Sequence, residues 1–348
     1  MPKRLTKHTK IIFSVYYPSA FHQTRNRKNK LTMATLTVPQ EVPSPTQDSE
    51  TLRKAFKGWG TDEKAVIQVL GHRNATQRKI IRDTYQKLYN QSLIDSLDSE
   101  LSGDFGRAVI LWTYDPAERD ARLVNKALKS KNKSLDKLKV VIEISCASSP
   151  HHLLAVRKCY CSLFECSIEE DIIVNAPPSV RKILVGLVSS FRFDGAVVDL
   201  DVADDEASKL QEAVKLKQLD QDIVMWILST RNVFQLKATF ESYHKKYGIL
   251  LHEDIKDYSD DLLVSLVTIV IKCIISPERH FVEVIKAATD GWGTDEDALT
   301  RVIISRAEID LIKVKKAYFD IHKTSLDKLV KDETSGDYGA FLIALLGQ

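Results

Sequence analysis

Long apolar runs are missing from this 348-residue chain. The longest, Leu262 to Ile271, is closed by Asp261 and Lys272, well short of the ~20 residues needed to span a bilayer. A membrane bundle is excluded. Cysteine is also scarce: Cys146, Cys159, Cys161, Cys166 and Cys273 lack the density and even count of a secreted disulfide scaffold, which points to free thiols in a reducing compartment. No HExxH, P-loop, GxSxG or CxxC pair occurs, so the common hydrolase, nucleotide-binding and redox signatures are absent. Cys159 and Cys161 diverge on a helix, and no histidine is spaced to complete a zinc site with Cys166. Acid is absent from residues 1–32, which carry eight Lys or Arg; taking those eight from the total of 50 leaves 42 bases against 47 acids in the body. A body near −5 argues against nucleic acid as the partner, because polyanion affinity comes largely from clustered cations.

The basic leader, with a short apolar patch at Ile11 to Tyr17, reads as a disordered tail or as a stretch upstream of a start at Met33, and a transit peptide or a weak secretory signal is the alternative. Thr37 to Asp48, with Pro39, Pro43 and Pro45, reads as an irregular lead-in.

What is present is a repeat. The segments Arg73 to Tyr85, Ser148 to Tyr160, Arg231 to Tyr243 and Arg306 to Tyr318 are alike, and eight residues beyond each tyrosine stands Leu93, Ile168, Leu251 or Leu326. Apolar residues fall at helical spacing, as in Val66, Ile67, Leu70, Ile80, Ile81, Tyr85 and Leu88, or Val302, Ile303, Leu311 and Val314. Solvent-facing strand alternation is absent, and the β-branched run at Val264 to Ile271 falls where the repeat predicts a buried helix. The fold class expected is all-α, with room for about five short helices in each unit.

The first and fourth units share a hexapeptide, Gly58-Trp59-Gly60-Thr61-Asp62-Glu63 and Gly291-Trp292-Gly293-Thr294-Asp295-Glu296. Two glycines permit a tight turn of the backbone carbonyls, and the threonine is placed to cap the next helix. Forty residues beyond the second glycine stands Glu100 in one unit and Glu333 in the other, each just before another glycine turn. Carbonyls completed by one bidentate carboxylate make an oxygen-only site suited to Ca²⁺. Trp59 and Trp292, with no apolar neighbours in their own loops, suit a lipid headgroup layer.

This Gly-x-Gly-Thr pattern with a distant acid, repeated inside a fourfold array, resembles the annexin family, with a flavour similar to plant annexins, over residues 47–348. The resemblance implies a curved disc of four five-helix repeats at 47–118, 119–195, 203–278 and 279–348, with residues 1–46 a disordered extension and the calcium loops on the convex face. It implies one calcium on the carbonyls of Phe56, Gly58 and Gly60 with Glu100. A second falls to Thr289, Gly291, Gly293 and Glu333, and accessory sites to Thr61 with Glu63 and Thr294 with Glu296. The function implied is calcium-dependent attachment to acidic phospholipid, cytoplasmic and reversibly peripheral to the plasma membrane and endomembranes, without established catalysis. Self-association on membranes stays open.

The second and third units depart from the pattern. Lys129-Ser130-Lys131-Asn132-Lys133-Ser134 and Lys215-Leu216-Lys217-Gln218-Leu219 have no glycine; a β-carbon there would obstruct the carbonyls and the lysines would repel calcium, so both sites are expected to be lost. The lysines then become candidates for direct contact with lipid phosphate. His72 resembles a histidine given a peroxidase-like role in plant annexins, and Cys146 with Cys273 a proposed redox pair. A packing histidine and two buried thiols are the simpler reading. Met225-Trp226-Ile227 lacks the arginine of the actin-type motif, which weakens an actin partnership. A calcium-independent helical scaffold is the remaining alternative.

Overall fold

The structure is a computed structural model that describes residues 33–58, 60–132, 134–256, 261–291 and 293–348. Among the described residues every regular element is an α-helix, and the helices fall into four groups of five. Repeat 1 comprises α1 (Pro45–Ala55), α2 (Glu63–Leu70), α3 (Ala75–Tyr89), α4 (Leu93–Glu100) and α5 (Gly103–Thr113). Repeat 2 runs through α6 (Pro116–Lys129), α7 (Leu135–Cys146), α8 (Pro150–Phe164), α9 (Ile168–Asn175) and α10 (Pro178–Ser189). Repeat 3 holds α11 (Leu200–Lys215), α12 (Asp222–Thr230), α13 (Val233–Tyr247), α14 (Leu251–Lys256) and α15 (Leu262–Ile275). Repeat 4 holds α16 (Pro277–Thr289), α17 (Glu296–Arg306), α18 (Leu311–His322), α19 (Leu326–Glu333) and α20 (Gly336–Leu345).

The first helices of repeats 1, 2 and 4 open on a proline, whose fixed φ suits the first helical turn and whose missing N–H costs nothing there. At Ser44 a capping box with Gln47 fixes the start of α1. Pro45 to Asp48 are therefore helical, where the three prolines suggested an irregular lead-in. The four equivalent tyrosines, Tyr85, Tyr160, Tyr243 and Tyr318, are all buried. Val264 to Ile271 lies within helix α15. Ile80 and Leu88 depart from the expected stripe and are exposed, because α3 turns Arg78, Ile81 and Tyr85 inward instead.

Two separate hydrophobic cores result, one shared by repeats 1 and 4 and one by repeats 2 and 3. Between them runs a polar seam. Glu143 of α7 accepts from His280 Nε2 at 3.0 Å and from Arg301 of α17. Arg119 donates to the Ile304 carbonyl, and Arg306 to that of Ala147. Burying these charges is tolerable only because each is paired.

Of the 1–46 extension, residues 1–32 lie outside the described residues. From Met33 onward the chain is tied to repeat 4 rather than disordered: Thr35 N donates to Ala307 O at 2.9 Å, Thr35 Oγ1 to Leu345 O at 2.6 Å, and Ile312 N to Met33 O at 3.2 Å.

Candidate calcium loops

The two glycine turns adopt the same geometry. In the first, the Asp62 N–H donates to Ala55 O at 3.0 Å; in the second, the Asp295 N–H donates to Ala288 O at 2.7 Å. Gly58 and Gly60 have φ of 128° and 86°, and Gly291 and Gly293 have φ of 140° and 94°, a region closed to most side chains. A β-carbon built on any of the four meets nothing within 4 Å. The glycines are thus required by backbone conformation, whereas obstruction by a β-carbon was expected. Among the described residues, no backbone hydrogen bond is accepted by the carbonyls of Phe56, Gly58, Gly60, Thr289, Gly291 or Gly293.

The threonines are placed differently from expectation. Asp62 and Asp295, not the threonines, cap α2 and α17, each accepting from a backbone N–H three residues on. This frees Thr61 to donate to the Glu100 carbonyl at 3.1 Å, with Glu100 Oε2 3.4 Å away. Thr294 donates to Glu333 Oε2 at 3.0 Å. The distant glutamates therefore stand beside their own glycine turns.

Between the two repeats opens a cleft of about 430 Å³, lined by Glu63, Glu100 and Asp104 from one side and Glu296, Glu333 and Asp337 from the other. Asp104 and Asp337 were not singled out in the sequence; their only signal was the second glycine turn, where Gly103 and Gly336 have φ of 62° and 60°. Six carboxylates around one opening create a negative potential that favours a cation. Among the described residues no group of three or more His, Cys, Asp or Glu is arranged to share one metal ion. An ion held here must therefore take most of its ligands from backbone oxygens, as hard cations accept. Asp290, where repeat 1 has Lys57, adds a carboxylate beside the fourth-repeat turn and pairs with Lys286, whose ammonium it holds above the usual lysine range.

Trp59, Trp292 and Lys133 lie outside the described residues. In repeat 2, Lys129 reaches back to Asp171, which also accepts from Tyr160 Oη at 2.5 Å. In repeat 3, Asp254 likewise accepts from Tyr243 Oη. Internal polar fastenings thus stand in these two repeats.

His72 Nδ1 lies 3.0 Å from the Thr37 carbonyl, a contact that ties α2's end to the lead-in. Cys146 and Cys273 are buried free thiols. Burial pushes both upward, and for Cys273 the nearby Cys146 adds to the effect. A thiol held protonated is a poor redox nucleophile. No helix among the described residues is long and apolar enough to cross a membrane.

The family model described as Annexin matches residues 47–112, 205–268 and 280–345, more than half of the chain. Annexin D3 of Arabidopsis thaliana is 54% identical over 318 residues, 90% of this chain and 99% of that protein. Among solved structures, annexin III aligns with a TM-score of 0.85 at 30% identity, over 90% of this chain and 97% of its own. A calcium-bound annexin (Sm)1 aligns with a TM-score of 0.78 at 28% identity, over 91% and 94%. On the five-helix repeat, the twinned glycine turns and these likenesses, the chain belongs to the annexin family.

Proposed function

We propose that this protein attaches to acidic phospholipid surfaces through calcium held in repeats 1 and 4. One ion is assigned to the carbonyls of Phe56, Gly58 and Gly60 with Glu100, and the other to those of Thr289, Gly291 and Gly293 with Glu333. Thr61 with Glu63, and Thr294 with Glu296, are accessory positions. The single observation that carries the reading is that the loop threonine lies within hydrogen-bond distance of the distant glutamate's carboxylate in both repeats, 3.4 Å for Thr61 with Glu100 and 3.0 Å for Thr294 with Glu333, across 39 residues of chain.

Calcium supplies the bridge. One carboxylate leaves a divalent ion net positive and its remaining coordination open to an exchangeable oxygen, so a lipid phosphate can complete it. The acidic body of the chain, with 42 bases against 47 acids beyond residue 32, then binds an anionic surface through the ion. Few charged ligands imply weak affinity in the absence of lipid, toward ~10⁻⁴ M. Lipid tightens calcium binding by the same factor that calcium tightens lipid binding. Two loops engaging one surface gain from effective concentration. Trp59 and Trp292 are assigned to the headgroup layer. No catalytic residue is assigned, and His72 with Cys146 and Cys273 is left as packing.

The test is sedimentation with phosphatidylserine-containing vesicles in calcium and in EGTA. Glu100→Gln should weaken the calcium-dependent fraction, and adding Glu333→Gln should abolish it. Undiminished sedimentation of the double variant would remove the loops from the mechanism.

A further inference from the structure

Five of the buried arginines sit on carboxylates: Arg73 pairs with Asp48, Arg78 with Glu308, Arg119 with Asp120, Arg301 with Glu143 and Arg306 with Asp310. That is the usual condition for burying charge. Arg192, in the linker that follows α10, departs from it: the residue is 6% exposed, and among the described residues no carboxylate pairs with it. Its Nη1 donates to the Arg231 carbonyl at 2.6 Å and its Nη2 to that of Leu228, so the guanidinium caps the C-terminal end of α12. A helix C-terminus offers about half a negative charge, which leaves roughly half of the cation uncompensated. Cys146 also meets Arg192, but burial pushes its thiol up despite the opposing guanidinium, so it stays neutral and adds no counter-charge.

The sequence accounts for the opening beside this arginine. In repeats 1 and 3 an arginine just before the third helix pairs with an acid 25 residues earlier, Arg73 with Asp48 and Arg231 with Glu206. In the same register repeat 2 has Ser148 and Leu123, so both charges are gone. Where the serine stands there is a cleft of about 80 Å³, lined by Cys146, Ser148, Ser149, Ser190, Arg192 and Asp194. At the ~30 Å³ that a molecule takes in liquid water, this is room for about three waters, enough for one tetrahedral oxyanion and too little for a nucleotide. Helix α8 begins at the rim with Ser149 as its cap, and among the described residues no backbone hydrogen bond is donated by the N–H of Ser148 or Ser149. A positive helix end and free donors therefore add to the arginine. Cys146 closes α7, and twelve helical residues, about 18 Å, separate it from the glycine-free turn at the other end of that helix. The cleft thus lies away from the loops assigned to calcium and lipid.

We propose that this cleft is a binding site for a phosphate-type oxyanion, held by the Arg192 guanidinium, the Ser148 hydroxyl and the N–H groups of Ser148 and Ser149. The ligand is the free ion or the phosphate of a small monoester, since both present the same oxygens. Asp194, exposed at the rim two residues from Arg192, opposes the anion and sets an upper bound on affinity.

The experiment is isothermal titration calorimetry of the full chain with inorganic phosphate and, in a second arm, glycerol 3-phosphate, without calcium and at constant ionic strength in chloride. Saturable binding of one phosphate is expected. Ser148→Leu, which fills the cleft, and Arg192→Gln, which removes its cation, should each weaken binding by about tenfold or more, the loss of one charge-assisted hydrogen bond. Asp194→Asn should tighten it several-fold. Circular dichroism checks the fold; should Arg192→Gln lose it, the Ser148 and Asp194 variants, at positions that are not buried, decide alone. Glycerol 3-phosphate bound as tightly as phosphate assigns the cleft to monoesters, and weaker binding assigns it to the free ion; either supports the site. No saturable binding, an affinity unchanged by Ser148→Leu, or an affinity lowered by Asp194→Asn overturns the proposal.

Discussion

Thr61 Oγ1 donates to the carbonyl of Glu100 at 3.1 Å across 39 residues of chain, with the carboxylate at 3.4 Å, and Thr294 Oγ1 donates to the carboxylate of Glu333 at 3.0 Å, with the carbonyl at 3.5 Å. Both threonines were expected to cap helices, yet an aspartate caps each one and the hydroxyl is spent on orienting a glutamate. Thr61→Val with Thr294→Val should therefore leave the helices in place and raise the calcium concentration needed for half-maximal vesicle binding by roughly three- to tenfold, the loss of one to two modest hydrogen bonds. Serine at both positions should restore most of it. A valine pair with an unshifted calcium midpoint would show that the glutamates need no such tether.

The glycines of the turns lead to a second expectation. Because a β-carbon on Gly60 or Gly293 meets no atom within 4 Å, alanine costs only the left-handed backbone penalty, about 1–2 kcal/mol per site. Thermal melts of Gly60→Ala/Gly293→Ala should fall by a few degrees while helix content is unchanged, and calcium-dependent vesicle binding should fall much further as the turn relaxes toward negative φ. Equal, small losses in both measurements would mean the turn shape does not matter for the ion.

Much of this was legible before any coordinates. The fourfold tyrosine spacing located the repeats, since a helix that must bury the same face in each unit keeps its anchor at a fixed register; Tyr85, Tyr160, Tyr243 and Tyr318 are buried accordingly. The glycine turns and the forty-residue offset located Glu100 and Glu333. The cross-repeat contacts were not legible: Glu143 meets His280 and Arg301 from 137 and 158 residues away, and no local pattern encodes such a pairing. Nor could spacing reveal that Asp62 outcompetes Thr61 as a cap, because both residue types serve that role and only the fold decides which is nearer.

That seam gives a pH expectation. Burial pushes the His280 imidazole down to about 4, opposed in part by Glu283, while Lys139 and Lys272 add to the lowering. Its Nε2 faces Glu143, whose other oxygen is held by Arg301. A folded-state value below the ordinary ~6.5 of histidine means the unfolded chain takes up its proton first as pH falls. The neutral imidazole therefore imposes no penalty above pH ~6.5, and stability declines between about 6.5 and 4, by an amount on the order of 3 kcal/mol. His280→Gln, which keeps a donor for Glu143, should flatten the melting temperature over that interval. An identical pH profile in the variant would place the loss elsewhere.

The division into two cores carries the last expectation. Both candidate loops belong to the half built by repeats 1 and 4, whose apolar residues form a cluster separate from that of repeats 2 and 3. An ion that binds only the folded state stabilises what it touches, by about 2.7 kcal/mol per site at a hundredfold excess over its dissociation constant. Because the two cores meet along a polar seam rather than through shared packing, that gain should stay local. Amide exchange with and without calcium, in the absence of lipid, should therefore slow in α1, α4, α16 and α19 and stay within error in α7, α10, α12 and α15. Protection spread evenly over all four repeats would mean the halves unfold as one unit and that the seam transmits the full binding energy.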